Sequence, residues 1–167
     1  RDVLGSRGLG DVYKRQEALM AQGAQVILTY QNDRLKQSLQ RFVAPTVPLI
    51  ACDVADDDNV DRAFASIKQQ YGAIDGIIHA IAYADKATLE GEFVNTTKAG
   101  YDLAQNISAY SLIAVARAAR PMLKSGASLV TLTYFGSERA VPNYNMMGVC
   151  LLYTSPRPRD PKTSRMP

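Results

Sequence analysis

The sequence predicts an α/β fold in which helices cover both faces of a parallel β-sheet. Three observations support this prediction: apolar strand-like runs recur along the chain, helices with one apolar face separate them, and polar or small residues follow the strands. Nearly continuous apolar strands are typical of parallel sheets, because right-handed crossovers place helices on both faces. We therefore expect a Rossmann-like, doubly wound sheet.

The elements of the first half follow one another in a regular order. Residues 17–22 form the end of a helix that Gly23 terminates, since glycine tolerates a left-handed cap. Residues 25–30 are rich in β-forming side chains and predict a strand. Asn32 can cap the next helix, and residues 47–51 predict a short apolar strand.

The second half continues the alternation. Aspartates at residues 56–58 open a helix, because negative charge is favourable at a helix N-terminus. The predicted buried face of this helix consists of Val60, Phe64 and Ile67, and Gly72 ends it. The remaining predicted elements are a strand at residues 75–80, a long helix at residues 100–123, a strand at residues 128–134 and a helix that starts within residues 142–148.

Length and composition fit one soluble globular domain. The chain has 167 residues, of which 47% are hydrophobic and 21% charged. No apolar run approaches the roughly 18 residues of a membrane-spanning helix, and the first residues lack the plan of a signal peptide. The two cysteines, Cys52 and Cys150, are too few to form a network of disulfides or a set of metal ligands. We expect a cytoplasmic protein with no metal site and no membrane partner.

The positive charge of the chain is confined to its two ends. The net charge is +3, yet residues 17–149 hold 11 Lys and Arg against 13 Asp and Glu, which gives −2. The excess positive charge lies in residues 1–16 and 150–167. Because the middle carries no basic excess, we do not expect nucleic acid as a partner.

The two ends also share an unusual coding relationship. Residues 11–16 can be encoded by GATGTGTATAAGAGACAG and residues 150–155 by TGTCTCTTATACACATCT, which are reverse complements over 17 bases. This pair resembles a transposon end used to build sequencing libraries. We therefore predict that residues 1–16 and 150–167 derive from adapters, that the latter are disordered, and that residues 17–149 are a partial Rossmann-like domain, incomplete at both ends.

Candidate cofactor residues follow the predicted strands, where ligands bind in such sheets. Gln31 is placed to meet an adenosine ribose, and its neutral side chain favours NADH over NADPH, although Arg34 nearby weakens that preference. Asp53 can accept a hydrogen bond from an adenine amino group or can simply cap a helix. Ala80 and Ile81 are small or apolar where backbone must approach a cofactor closely.

The strongest chemical cluster contains two tyrosines. Tyr134 ends a predicted strand and Tyr144 lies at the start of a helix, so both phenols can face one pocket. A tyrosine can donate a hydrogen bond to an oxygen that gains negative charge in a transition state. The alternative is that both are amphipathic surface tyrosines.

Six motifs occur in order: YQND, CDV, HAIAYA, ISAYS, LTY and PNYNMMG, at residues 30–33, 52–54, 79–84, 107–111, 132–134 and 142–148. Together they resemble the bacterial NADH-dependent enoyl-acyl-carrier-protein reductases, a divergent branch of the short-chain dehydrogenase/reductase superfamily. The resemblance covers nearly all of residues 17–149.

The resemblance implies NADH-dependent reduction of the enoyl double bond of acyl-carrier-protein thioesters in fatty-acid elongation. Tyr144 matches the tyrosine that stabilises the enolate oxygen, and Tyr134 matches a second active-site tyrosine. The positions that match cofactor contacts are Gln31, Asp53, Val54, Ala80 and Ile81, and Ala84 matches a position that touches substrate. Implied partners are acyl carrier protein carrying an enoyl chain and, for the full-length parent, three further copies in a homotetramer.

The chain departs from the family pattern in one functional position. The family has a lysine seven residues after the second tyrosine, and this chain has Leu151 there. The first strand with its pyrophosphate loop and the segments after the catalytic helix are also missing. We expect the parental protein to be active and the chain as written to be inactive.

Two other functions remain open. A different short-chain reductase would carry Tyr-x-x-x-Lys, whereas Gly148 follows Tyr144 at that spacing. A non-catalytic dinucleotide-binding module would use the tyrosines only for packing. His79, the single histidine, and Cys52 are interpreted as structural, because neither has a partner in sequence that would activate it.

Overall fold

A computed structural model describes residues 16–154, so most of both predicted adapter-derived segments, residues 1–15 and 155–167, lie outside the described residues. The helices and strands in chain order are α1 (residues 16–21), β1 (Leu28–Tyr30), α2 (Asp33–Gln40), β2 (Leu49–Ala51), α3 (Asp57–Tyr71), β3 (Ile74–His79), α4 (Lys86–Leu89), α5 (Lys98–Gln105), α6 (Ser111–Ala119), β4 (Leu123–Thr131) and α7 (Asn145–Thr154). Short 3₁₀ turns occur at Phe93–Asn95, Arg120–Met122 and Phe135–Ser137.

The strands form two pairs. β1 and β2 are parallel, with Leu28 opposite Leu49 and Tyr30 opposite Ala51. β3 pairs with β4 in the second sheet. The parallel pair, with a helix in the crossover between its strands, confirms the predicted α/β fold class.

The predicted helix ends and caps are confirmed for the first three helices. Gly23 follows α1 with a φ of +82°, and Gly72 follows α3 with a φ of +73°. The side chain of Asn32 accepts the N–H of Leu35 at 3.0 Å and so caps α2. Asp56 caps α3. The face of α3 that was predicted to be buried is buried in the structure, at Val60, Phe64 and Ile67.

The predicted boundaries of three strands and one helix are wrong. β1 and β2 begin at Leu28 and Leu49, later than predicted. The helix predicted over residues 100–123 ends at Ala119, because Pro121 cannot continue it and a 3₁₀ turn follows. As a result β4 begins at Leu123, five residues before the predicted start.

The long helix is also interrupted in its middle. α5 and α6 are joined by a π-helical segment at Asn106–Tyr110. Such segments insert an extra residue into the helical turn and often occur at functional sites. No glycine or proline in this segment signals the change.

The described residues divide into two compact units where the sequence predicted one domain. The first comprises residues 16–75 and 114–127, and the second comprises residues 76–113 and 128–154. A core cluster of the first unit contains Leu39, Val43 and Val47. The core of the second unit contains Ala84, Leu89, Ala104, Met146, Met147, Cys150 and Leu151.

Helix α7 continues to Thr154, through residues that the sequence assigned to a disordered tail. Cys150 and Leu151 are buried, which explains why the helix continues there: both add apolar surface to the core of the second unit. The adapter origin of this segment stays a prediction. Within residues 16–154, no helix is both long and apolar enough to span a membrane.

Candidate functional site

Gln31 and Asp53 follow the carboxyl ends of two paired strands. The N–H of Cys52 donates to the carbonyl of Tyr30 at 2.8 Å, which keeps the two strand ends together. The Nε2 atom of Gln31 lies 3.4 Å from Oδ1 and 3.3 Å from Oδ2 of Asp53. The structure therefore brings these two predicted cofactor residues into direct contact.

Asp53 does not cap the following helix. Its Oδ1 accepts the N–H of Ala55 at 3.0 Å in a local turn, whereas Asp56 caps α3. A carboxylate has about four acceptor positions, so the side chain can accept a further donor beyond Ala55 and Gln31. The interpretation of Asp53 as a helix cap is therefore wrong.

Two neighbours complete the turn at Asp53. Val54 is buried, so its side chain offers little surface to a ligand. The side-chain oxygen of Asn59 accepts the N–H of Asp53 at 3.0 Å. Sequence reasoning missed Asn59, although a short amide side chain in the first turn of a helix is a common partner for backbone groups that precede it.

The predicted site residues in the loop after β3 differ in their exposure to solvent. Ala80 is exposed and Ile81 is half-buried. Ala84, which was predicted to touch substrate, is buried in a cluster with Leu89 and Met146. The methyl group of Ala84 therefore supports the core of the second unit and leaves little side-chain surface for a ligand.

Tyr134 and Tyr144 meet as predicted from their spacing. Their ring centroids are 5.3 Å apart with an interplanar angle of 60°, a favourable tilted arrangement. Tyr134 is 54% exposed, whereas Tyr144 is half-buried. Burial raises the pKa of Tyr144 above 10, and the nearby phenol of Tyr134 raises it further. At neutral pH the Tyr144 hydroxyl therefore keeps its proton and can donate a hydrogen bond.

Two glycines leave room for the Tyr144 ring and its helix. A Cβ atom at Gly136 would lie 2.7 Å from Cδ1 and 2.9 Å from Cε1 of Tyr144. A Cβ atom at Gly148 would lie 3.0 Å from the carbonyl oxygen of Gly136. The sequence did not predict a role for either glycine, because the requirement comes from contacts across 8 residues for Gly136 and 12 residues for Gly148.

Three further residues that the sequence singled out are buried and act as structural groups: His79, Cys52 and Leu151. His79 is 2% exposed, and burial lowers its pKa below 6.5. Burial raises the pKa of the Cys52 thiol to about 11, with Asp53 adding to the shift, so the thiol is not a nucleophile at neutral pH. Leu151 is buried in the core of the second unit.

The parallel strand pair with its crossover helix and the polar groups at its carboxyl edge define an α/β protein of the Rossmann-like class. A family model described as enoyl-(acyl carrier protein) reductase matches residues 7–150, and the chain belongs to that family. The match starts ahead of the predicted boundary at Glu17 and ends next to the predicted boundary at Val149.

Individual relatives carry the same name. The chain is 51% identical over 133 residues to the enoyl-acyl-carrier-protein reductase (NADH) of Enterococcus faecalis, a match that covers 80% of this chain and 53% of that protein. It is 50% identical over 132 residues to the Bacillus subtilis protein of the same name, covering 76% of this chain and 51% of that protein. The chain thus spans about half the length of these curated relatives.

Solved structures agree with the fold. The Bacillus cereus enoyl-acyl carrier protein reductase with NADP⁺ and indole naphthyridinone superposes with a TM-score of 0.80 at 40% identity, over 92% of this chain and 60% of that chain. The Anaplasma phagocytophilum reductase in complex with NAD gives a TM-score of 0.75 at 36% identity, over 82% of this chain and 54% of that chain.

Proposed function

We propose that the full-length protein reduces the carbon–carbon double bond of an enoyl thioester carried on acyl carrier protein, with NADH as the reductant. The observation that carries this proposal is the half-buried, protonated phenol of Tyr144 in ring contact with Tyr134. The names of the relatives support the substrate and the cofactor, since the Enterococcus faecalis protein is 51% identical over the shared region.

The residues at the strand ends fit the adenosine end of a dinucleotide. The amide of Gln31 offers donors and the carboxylate of Asp53 offers acceptors, and the two groups lie within 3.4 Å of each other. A 2′-phosphate would bring two negative charges towards Asp53, whereas a ribose hydroxyl can donate to a carboxylate. This charge distribution favours NADH over NADPH, and Gln31, Asp53 and the Val54 backbone would hold the adenosine.

In the second unit the chain supplies a backbone surface and a proton donor. Ala80 and Ile81 would let the backbone after β3 approach the nicotinamide end closely. Bound NADH supplies the hydride that reduces the β-carbon of the substrate. The Tyr144 hydroxyl would donate a hydrogen bond to the thioester oxygen as it gains negative charge, and Tyr134 would restrict the Tyr144 ring through their contact.

We propose acyl carrier protein as the partner, a homotetramer as the assembly of the full-length protein and the cytoplasm as its location. The relatives' names support the first of these assignments. The negative net charge of residues 17–149 supports a partner other than nucleic acid.

The function is tested in the full-length protein by the rate of NADH oxidation with a short enoyl thioester. Replacing Tyr144 with Phe removes the donor and is expected to lower kcat about 100- to 1000-fold, because a lost oxyanion donor costs that much. NADH binding, measured by fluorescence, is expected to stay within about twofold, as the hydroxyl acts on the substrate oxygen. Tyr71→Phe on α3 is the matched control.

Each alternative function predicts a different result. A non-catalytic module would bind NADH without turnover, and a different short-chain reductase would act on a carbonyl substrate and not on the enoyl thioester. An unchanged kcat in Tyr144→Phe would overturn the role of this residue.

A further inference from the structure

Two serines connect the π-helical segment to the loop that follows β3. Ser108 lies within the segment and Ser111 directly after it, and both side chains are buried. The Ser108 hydroxyl donates to the carbonyl of Tyr83 at 2.8 Å and accepts the N–H of the same residue at 2.8 Å. The Ser111 hydroxyl lies 2.8 Å from Nε2 of His79, the last residue of β3.

The position of the protons between His79 and Ser111 follows from counting hydrogens. The Ser111 hydroxyl has one hydrogen, and it is donated to the carbonyl of Ile107 at 2.6 Å. With that hydrogen on Ile107, Nε2 of His79 is the donor in its contact with the Ser111 oxygen. Since burial lowers the pKa of His79, the ring is neutral at pH 7.

The backbone of Tyr83 depends on one side chain. Tyr83 lies outside every helix and strand, and the hydroxyl of Ser108 bonds both its N–H and its carbonyl. A loop whose backbone polar groups are bonded to a buried side chain is fixed in place, because breaking those bonds leaves polar groups unpaired. The loop of residues 80–84 is therefore held at both ends: by His79 on Ser111 and by Tyr83 on Ser108.

We propose that Ser108 and His79 are positioning residues, which tie the loop of residues 80–84 to the π-helical segment and so hold its backbone in the geometry needed for ligand binding. The inference rests on the proposed function insofar as Ala80 and Ile81 serve the cofactor. Neither positioning side chain reacts. The π-helical turn is the local distortion on which Ser108 is presented to Tyr83.

The first test measures the loop itself and needs no activity. Hydrogen exchange is followed by mass spectrometry in this chain for the peptide that covers residues 80–85. Ser108→Ala removes the acceptor of the Tyr83 N–H, so exchange at one amide is expected to accelerate at least fivefold. Ser66→Ala, a serine on α3 that accepts from Gln70, is the control and leaves this peptide unchanged.

The second test measures function in the full-length protein. Ser108→Ala is expected to raise the Kd for NADH and the KM for the enoyl thioester about five- to tenfold while kcat falls less than threefold, because binding geometry is lost and Tyr144 is kept. Ser108→Cys keeps the shape of the side chain, with a slightly larger atom and weaker hydrogen bonds, and it gives an intermediate effect if the hydroxyl acts by bonding. It also replaces Ser108→Ala if that variant does not fold.

The outcomes separate the two proposals. Faster exchange at residues 80–85 with a raised KM supports positioning, and unchanged exchange in both Ser108 variants overturns it. Faster exchange with unchanged Kd and KM also overturns it, since the bonds would then serve stability alone. If the wild-type protein neither binds NADH nor reduces the thioester, the proposed function fails while the exchange result still decides whether Ser108 fixes the loop.

Discussion

The Tyr144 phenol shows how one residue acquires its chemistry from its surroundings. Its ring is half-buried and in contact with Tyr134, and both features raise its pKa. The sequence resemblance predicts a lysine in the family at the seventh position after this tyrosine, where this chain has the buried Leu151. In this chain the phenol therefore holds its proton more tightly than the same group would beside an ammonium ion.

His79 makes the stability of the chain depend on pH. Its folded pKa lies below the usual 6.5, so the unfolded chain binds more protons as the pH falls past 6.5. The free energy of unfolding therefore decreases below about pH 6.5, and His79 has no such effect above that value. We expect urea unfolding of the dilute chain at pH 7.5 and pH 5.5 to show a smaller pH dependence in His79→Gln. An equal dependence in both chains would contradict this.

Gly136 is expected to control the position of the Tyr144 ring. A methyl group there would lie within 2.9 Å of two Tyr144 ring carbons, so Gly136→Ala must displace the ring and its hydroxyl. We expect kcat of the full-length protein to fall about 10- to 100-fold, since misplacement by about 1 Å costs that much. Gly126→Ala is the control, because its site has a φ of +80° and open space, so it affects stability and not kcat. Normal kcat in Gly136→Ala would show that the ring adapts.

At the scale of elements, the helix starts depend on single side chains. Asp56 accepts the N–H of Asp58 at 3.0 Å at the start of α3. Asp56→Ala is expected to lower the free energy of unfolding by about 1 kcal/mol, because a first-turn N–H loses its partner. Asp61→Ala, an exposed position within the same helix, is the control. Urea unfolding followed by circular dichroism measures both, and equal stability of the two variants would refute a capping role.

The elements that the sequence predicted well are those with local causes. Asn32, Asp56 and the glycines after α1 and α3 act on backbone groups within a few residues, so their patterns are visible in the chain. The π-helical segment has no such signal. Its role depends on Ser108 meeting Tyr83, which is 25 residues away, and only the folded chain brings them together.

In the candidate site too, some features were predicted from the sequence and others are visible only in the folded chain. Sequence spacing predicted that Gln31 and Asp53 share a sheet edge, since topology brings the ends of paired strands together. It also predicted that the two tyrosines meet, although β4 ends at Thr131 and Tyr134 lies beyond the strand. It did not predict that Ala84 is buried, because burial depends on the side chains that α7 packs against it.

At the scale of the whole molecule, apolar strand residues are left in contact with solvent. Ile78 on β3 is 46% exposed and Val130 on β4 is 48% exposed. Strand residues of a doubly wound sheet are normally buried on both faces. These apolar positions are therefore available for contact with another chain.

We therefore expect the chain as written to self-associate through its strands and to lack reductase activity. Exposed apolar strands pair with further copies, because their apolar side chains are removed from water in the process. The double variant Ile78→Thr and Val130→Thr, which keeps β-branched shape and adds hydroxyls, is expected to raise the soluble fraction after expression. Light scattering at increasing concentration measures the association.

Val94→Thr is the matched control for this prediction. Val94 is 82% exposed but lies in a 3₁₀ turn, where no strand can pair with it. If Val94→Thr raises solubility as much as the strand variant, total apolar exposure and not strand pairing drives association. NADH oxidation by the soluble strand variant should remain at background, because the family lysine is still absent at position 151. Turnover at an ordinary enzymatic rate would show that this lysine is dispensable and that half of the parental length suffices for the reaction.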